Sequence, residues 1–147
     1  MNGVSAFVDT NVLVYLYSDV DRFKQERAFR ALREYDCSIS TQVISEFNHV
    51  CIRKWRTPKE NLLRAVKRIC SYCDVVYIFE ETIEKALGIH EKYNYSYYDS
   101  QIIASALEHE CEYLLSEDMA DGQVIERRLT IKNIFAMMEV TDSNEYL

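Results

Sequence analysis

Four acidic residues occupy positions where an isolated carboxylate would be costly to bury. Asp9 closes a short apolar run, and Asp118 lies two residues past Ser116, which ends a later apolar run. Glu46 lies between valines on the inward stripe of one predicted helix, and Asp99 is in phase with the apolar face of another. Converging carboxylates repel one another, and a divalent cation is the usual remedy. Oxygen donors without a matching set of histidines or cysteines favour Mg²⁺ or Mn²⁺ over zinc.

Each of these acids, taken singly, also has a purely structural interpretation. Asp9 could cap the helix that follows it, and Asp99 could be the far member of a capping box opened by a serine. Glu46 could pair with Arg53, and Asp118 could be a turn residue in a loop. The coincidence of four acids at such positions predicts a divalent-metal site, but it does not name a substrate.

The elements that must position these acids alternate between strands and helices. Runs of apolar and β-branched residues predict strands at about residues 4–8, 37–40, 74–79, 112–116 and 129–131. Helical periodicity and capping signals predict helices at about residues 11–17, 20–35, 41–55, 57–72, 82–93 and 96–109. Strands separated by helices predict an α/β fold, with a parallel sheet covered by helices on both faces. Because ligands bind at the carboxyl ends of such strands, Asp9 and Asp118 are expected at one edge of the sheet.

Two of the helices carry detailed local predictions. Thr57, followed by proline and with a glutamate three residues later, is predicted to cap the helix at 57–72. In the helix at 82–93, the spacing of Ile83, Ala86, Leu87 and His90 predicts that these four side chains form the packed face.

The length of 147 residues favours a single domain, and the low content of three glycines and one proline argues against disorder. A net charge of −7 speaks, at face value, against a nucleic-acid binder. The charge is unevenly distributed, however, because seven bases and a single acid lie between Arg53 and Arg68. Trp55 within this basic segment could stack on a nucleic-acid base, or it could cap a small core.

The five cysteines do not pair off evenly, which favours an intracellular, reducing compartment and buried structural thiols. Cys70 and Cys73 have the spacing of a metal or redox pair, but no second Cys or His pair lies nearby. No apolar stretch approaches the 18 residues of a membrane span, and no signal peptide is recognisable, so a cytoplasmic protein is expected. The last residues, 141–147, are expected to form a frayed, disordered tail.

Four segments in order resemble the motifs of PIN-domain nucleases, and within that family those of the VapC-type toxins of bacterial toxin–antitoxin pairs. They are FVDTNVL at 7–13, STQVISEF at 40–47, YYDSQIIASA at 97–106 and LLSEDM at 114–119. The resemblance covers about residues 4–135. It implies one PIN domain over 1–147, built as a three-layer sandwich around a central parallel sheet of four to five strands.

The resemblance also implies an Mg²⁺-dependent (or Mn²⁺-dependent) endoribonuclease that acts on RNA, forms a homodimer and is held inactive by a cognate antitoxin. Asp9 and Asp99 match the principal metal ligands, and Asp118 matches a ligand that binds directly or through water. Glu46 matches a further ligand or a water-orienting group. Hydrolysis by an activated water would leave a 5′-phosphate and would need no 2′-hydroxyl.

Further residues receive roles from the same resemblance or from the basic segment. Asn11 and Ser116 match groups that orient the ligands. Asp121 is a candidate fifth acid, with a turn role as the alternative. The candidates for RNA contact are Arg53, Lys54, Trp55 and Arg56.

Two other functions remain open at this point. A catalytically weak PIN-like module would bind RNA or an antitoxin without cleaving RNA. A phosphotransfer enzyme would use Asp9 as its nucleophile, but Asn11 stands where such enzymes want a second aspartate.

Overall fold

The structure, a computed structural model, describes residues 3–136, so the predicted tail at 141–147 lies outside the described part of the chain. The strands are β1 (Ser5–Val8), β2 (Asp36–Ser40), β3 (Asp74–Val76), β4 (Tyr113–Leu115), β5 (Val124–Ile125) and β6 (Leu129–Lys132). The helices are α1 (Thr10–Leu16), α2 (Arg22–Glu34), α3 (Thr41–Trp55), α4 (Lys59–Tyr72), α5 (Glu80–Tyr93) and α6 (Tyr97–Glu108).

The described strands form one sheet in the order β3-β2-β1-β4-β6-β5. Every neighbouring pair is parallel except β5 and β6, which are antiparallel. The predicted α/β fold with a parallel central sheet is therefore confirmed, although the sheet has six strands where four to five were predicted. The additional strand, β5, has two residues, which is too short for any periodicity to show in the sequence.

Burial of the central strands explains the layered architecture. Ala6, Phe7 and Val8 are consecutive in β1, and all three are fully buried. Since successive side chains of a strand point to opposite faces, both faces of β1 must be covered. This is the condition that helices on both sides of a parallel sheet satisfy.

The predicted cap of α4 is wrong. Pro58 is the N-cap residue, and no side chain caps this helix. The hydroxyl of Thr57 instead donates a hydrogen bond to the carbonyl oxygen of Cys51, at 3.1 Å, at the end of α3. Thr57 therefore satisfies the helix that ends before it rather than the one that begins after it.

The predicted packed face of α5 is also wrong in phase. Ile83 and Leu87 are 43% and 56% exposed, and His90 is exposed as well. The buried side is formed by Thr82, Ala86 and Ile89. The hydroxyl of Thr82 donates a hydrogen bond of 2.7 Å to a carboxylate oxygen of Glu108, in α6. This bond offsets the cost of burying the Thr82 hydroxyl.

All five cysteines are free thiols, and four of them are buried. None of the helices in the described part of the chain has the length and hydropathy that crossing a bilayer requires.

Candidate metal centre

Neighbouring strands bring Asp9 and Asp118 to the same edge of the sheet. Asp9 follows β1 directly, and Asp118 lies three residues beyond the end of β4. The two strands are parallel, with Val8 opposite Leu115. The backbone N–H of Asp9 continues this ladder by donating to the carbonyl oxygen of Leu115 at 3.0 Å. The pairing of two strands thus sets where both carboxylates lie, as expected for the ligand edge of a parallel sheet.

The other two acids reach this edge on helices. Glu46 lies in α3, which begins directly after β2, and Asp99 lies in the first turn of α6. One open cleft is lined by all four carboxylates together with Asn11 and other residues. Its complete lining is Asp9, Thr10, Asn11, Ser45, Glu46, His49, Val50, Asp99 and Asp118.

Asp9 is the most buried of the four acids, with 8% of its surface exposed. Its Oδ1 accepts a hydrogen bond from the backbone N–H of Thr10 at 2.7 Å, and its Oδ2 accepts one from the hydroxyl of Ser116 at 2.8 Å. The pKa of Asp9 is raised to about 6, mainly by burial; the negative charges of Asp99 and Glu46 add to the rise, and these two hydrogen bonds oppose it. Asp9 also caps α1, so the capping role and the place in the cleft occur together.

The pKa of Asp99 is raised as well. Burial is the main cause, the charges of Glu46 and Asp118 add to the rise, and a hydrogen bond with Ser96 opposes it. Its backbone N–H donates to the Ser96 hydroxyl at 3.2 Å, so the capping interaction is present as well. Each of these carboxylates therefore senses the charge of its neighbours across the cleft, which a bound cation would offset.

Glu46 and Asp118 are oriented by neutral donors. The hydroxyl of Thr10 donates to Oε1 of Glu46 at 2.6 Å, and the amide of Gln42 donates to Oε2 at 3.1 Å. The amide of Asn11 donates to Oδ2 of Asp118 at 2.6 Å. The ion pairs of the described residues do not include Glu46, so a pairing with Arg53 does not account for it.

Comparison with known sequences identifies the family of this chain. The family model for the PIN domain matches residues 6–120. This chain belongs to the PIN domain family. The matched segment contains Asp9, Glu46, Asp99 and Asp118 and ends one residue before Asp121. No curated protein matches the chain.

Solved structures share the fold of this PIN domain at low sequence identity. A toxin–antitoxin complex from Klebsiella pneumoniae aligns with a TM-score of 0.66 at 21% identity, over 88% of this chain and 97% of the other. VapC20 from Mycobacterium tuberculosis, a toxin that cleaves the sarcin–ricin loop, gives 0.64 at 18% identity over 77% and 89%. VapBC2 from Rickettsia felis, bound to a promoter DNA fragment, gives 0.64 at 13% identity over 88% and 100%.

The sequence reasoning missed two residues that line the cleft in this PIN domain, Thr10 and His49, and a third, Gln42, that bonds a cleft carboxylate without lining the cleft. Thr10 and Gln42 hold Glu46, and His49 lines the cleft one helical turn beyond Glu46. Gln42 is four residues before Glu46, a spacing that places both side chains on one face of a helix. That spacing could have identified Gln42 from the sequence, whereas the hydrogen bond from Thr10 to Glu46 depends on how α1 and α3 pack together.

Asp121 lies elsewhere. Its Oδ1 accepts a hydrogen bond from the backbone N–H of Asn133 at 2.8 Å, and Asp121 is not among the residues that line the cleft. Gly122, the next residue, has a φ of +88°, as the turn interpretation requires.

The candidate RNA-contact residues lie at the far end of α3 and just beyond it. Arg53, Lys54, Trp55 and Arg56 are all exposed. Trp55 also lines a groove between α3 and α4 that includes Arg64 and Arg68. The tryptophan is 40% exposed, so part of its indole is accessible beside these cationic side chains.

The chemistry of the cleft fits a hard divalent cation. Its charged donors are carboxylate oxygens, which Mg²⁺ and Mn²⁺ prefer. Among residues 3–136, no three or more Asp, Glu, His or Cys side chains are grouped so that together they could hold a metal ion. An open set of carboxylates leaves coordination positions for water and phosphate, as Mg²⁺ requires when it binds through one or two protein ligands.

Proposed function

We propose that this PIN domain is a Mg²⁺- or Mn²⁺-dependent endoribonuclease of the VapC type, and the toxin of a toxin–antitoxin pair. The observation that carries the proposal is the meeting of Asp9, Glu46, Asp99 and Asp118 in one open cleft at the carboxyl edge of a parallel sheet. The raised pKa values of Asp9 and Asp99 support it, because burial and, to a lesser extent, the charges of neighbouring carboxylates disfavour the ionised forms that a cation would stabilise.

The roles within the cleft follow from burial and hydrogen bonding. Asp9 and Asp99 would be the principal ligands, Asp118 would bind directly or through water, and Glu46 would bind or orient water. When bound, the divalent ion would supply Lewis-acid chemistry, by activating water and offsetting charge on the phosphate. Ser116 and the backbone N–H of Thr10 each bond one oxygen of Asp9, and Asn11 bonds one oxygen of Asp118. These bonds orient both carboxylates and leave lone pairs on them for a ligand.

The exposed end of α3 supports an RNA substrate. Trp55 is nine residues beyond Glu46, which corresponds to about 14 Å along the helix axis. A single strand whose scissile phosphate lay in the acidic cleft would reach Arg53, Lys54 and Arg56 within a few nucleotides. Their positive charges would hold the phosphates on either side of Trp55, and the indole could stack on a base.

A cognate antitoxin is the expected protein partner. Among the structural neighbours are a toxin–antitoxin complex from Klebsiella pneumoniae and VapBC2 from Rickettsia felis, which is bound to a DNA fragment from its promoter. The groove beside Trp55 combines apolar walls at Tyr17, Phe47 and Leu62 with the basic side chain of Arg68. We expect an antitoxin segment in such a groove and an antitoxin arginine at the acidic cleft. We also propose a homodimer and a cytoplasmic location.

The deciding experiment measures Mg²⁺-dependent cleavage of RNA by the purified protein. Wild type should cleave and leave 5′-phosphates, whereas Asp9→Ala and Asp99→Ala should abolish cleavage. Asp36→Ala is the matched control, because Asp36 is an exposed acid at the opposite, amino end of β2. Equal cleavage by wild type and by the two cleft variants would contradict the proposal.

The alternative of a binding module without cleavage has its own outcome in the same experiment. Such a module would bind RNA or an antitoxin equally well with and without EDTA, would not cleave, and would not arrest growth when it is expressed. Sequencing of RNA ends after brief expression would then show no new 5′ ends.

A further inference from the structure

A buried glutamine lies in the second turn of α6, among residues that are otherwise apolar or small. Gln101 is 8% exposed, and its neighbours Ile102 and Ile103 are almost completely buried. Burying an amide is unfavourable unless its polar atoms are bonded. Gln101 meets this condition on both sides, because the hydroxyl of Tyr97 bonds its Oε1 at 3.0 Å and its Nε2 donates to Oε1 of Gln42 at 2.9 Å.

Gln42 continues the chain of hydrogen bonds into the metal cleft. Its Nε2 donates to Oε2 of Glu46 at 3.1 Å and to the backbone carbonyl oxygen of Tyr98 at 3.0 Å. The relay therefore runs from Tyr97 through Gln101 and Gln42 to Glu46. It connects α6, which carries Asp99, to α3, which carries Glu46.

The direction of the relay is set by its acceptors. The carbonyl oxygen of Tyr98 can only accept a hydrogen bond, and so can the Glu46 carboxylate, so the NH₂ group of Gln42 must face both. The carbonyl oxygen of Gln42 then faces Gln101, whose NH₂ group must point toward it. This leaves the oxygen of Gln101 for the Tyr97 hydroxyl, which must donate. Flipping either amide would bring two oxygens together, so a single arrangement satisfies every group.

We infer that Gln42 and Gln101 are positioning residues that hold Glu46 at the metal cleft and fix it relative to Asp99. The inference rests on the function proposed above, because only that function places a metal ion beside Glu46. Thr10 donates to Oε1 of Glu46 and Gln42 donates to Oε2, so the carboxylate cannot rotate without breaking a bond. Gln101 acts on Glu46 only through Gln42, and Tyr97 acts only through Gln101.

This serial arrangement predicts a specific pattern of coupling between variants. Gln42→Leu should raise the Mg²⁺ concentration for half-maximal cleavage, and the dissociation constant for Mn²⁺, by about tenfold or more. Gln101→Leu should shift both quantities in the same direction by less. The double variant should equal Gln42→Leu alone, because removing Gln42 already disconnects Gln101 from the cleft. The KM for RNA should remain close to that of wild type in all three.

The experiment titrates RNA cleavage with Mg²⁺ and measures Mn²⁺ binding by electron paramagnetic resonance, with the Tm of each variant recorded. Gln25→Leu is the matched control, because Gln25 is a partly buried glutamine of α2 that bonds only the carbonyl oxygen of Leu16. Should Gln42→Leu fail to fold, Tyr97→Phe carries the test, since it removes only one hydroxyl from the end of the relay. Its metal requirement should still rise above that of wild type.

The outcomes separate the inference from the proposed function. If wild type neither cleaves RNA nor binds Mn²⁺, the function fails, and the inference fails with it. If wild type is active and the relay variants keep the wild-type metal requirement, only the inference is overturned. It is also overturned if the effects of Gln42→Leu and Gln101→Leu multiply in the double variant, since independent packing defects behave in that way.

Discussion

The hydroxyl of Ser116 donates a hydrogen bond of 2.8 Å to Oδ2 of Asp9, joining the carboxyl ends of β4 and β1. Both side chains are buried, with 1% and 8% of their surface exposed. The backbone N–H of Thr10 bonds the other carboxylate oxygen. Asp9 is therefore held by one donor on each oxygen, in a site that disfavours its charge. Its geometry is determined by strand pairing before any metal binds.

Ser116→Ala tests this contact. Loss of the hydroxyl removes a hydrogen bond that lowers the pKa of Asp9, so the carboxylate becomes harder to ionise and less firmly oriented. We expect the Mg²⁺ concentration for half-maximal cleavage to rise by about tenfold, with a loss of about 1 kcal/mol in the free energy of unfolding. Ser71→Ala is the control, since Ser71 is exposed and bonds only the carbonyl oxygen of Arg68. An unchanged metal requirement in Ser116→Ala would show that this bond does not orient the ligand.

Asp9→Asn should abolish cleavage and yet stabilise the metal-free protein at pH 7.5. Burial raises the pKa of Asp9 to about 6 in the folded protein, above its value in the unfolded chain. The folded state therefore holds this proton more tightly, and the stability that the proton contributes is lost as the pH rises through about 6. The asparagine variant carries no such penalty, although it loses an acceptor, and we expect a net gain of about 1–2 kcal/mol.

The control for Asp9→Asn is the pH dependence of the difference in unfolding free energy between the variant and wild type. Denaturant unfolding in EDTA at several pH values would measure this difference. The extra stability of the variant should be complete above pH 7 and absent near pH 4. Asp36→Asn, at an exposed acid, should show no comparable trend. An advantage that did not vary with pH would have a cause other than the ionisation of Asp9.

The sequence sufficed for the placement of Asp9 and Asp118, because a parallel sheet forces the ends of neighbouring strands together. It did not suffice where two helices must pack in a particular orientation. Gln42 and Gln101 meet only because the first turns of α3 and α6 approach each other at this edge. The face of α5 was mispredicted for a related reason, since Thr82 is buried through a partner on another helix. Periodicity reports which residues are apolar, and it cannot report which polar residue finds a buried acceptor.

Asp121→Ala distinguishes a fifth metal ligand from a structural acid. The carboxylate of Asp121 accepts a hydrogen bond from the backbone N–H of Asn133, next to β6. Its removal should lower the free energy of unfolding by about 1 kcal/mol and leave the metal requirement for cleavage unchanged. Urea unfolding and Mg²⁺ titration of cleavage, with Asp118→Ala beside it as the variant that should lose metal binding, would measure both. If Asp121→Ala instead needs a higher Mg²⁺ concentration for cleavage, Asp121 contributes to metal binding after all.

The basic end of α3 should contribute to RNA binding through the charge of its side chains. In the double variant Arg53→Ala and Lys54→Ala, we expect the KM for RNA to rise at low salt while kcat changes little, because both residues lie outside the acidic cleft. Two lost phosphate contacts should reduce the slope of log binding constant against log salt concentration by about 1.4, since each contact to a single strand contributes about 0.7.

The control is Lys85→Ala, at an exposed lysine of α5. It removes a positive charge on a helix that contributes no residue to the cleft, and it should leave the slope unchanged. Measurement of RNA binding between 50 and 200 mM salt in EDTA separates this effect from metal binding, because the cleft is then without a divalent ion. An unchanged slope in the double variant would mean that the RNA phosphates follow another path from the cleft.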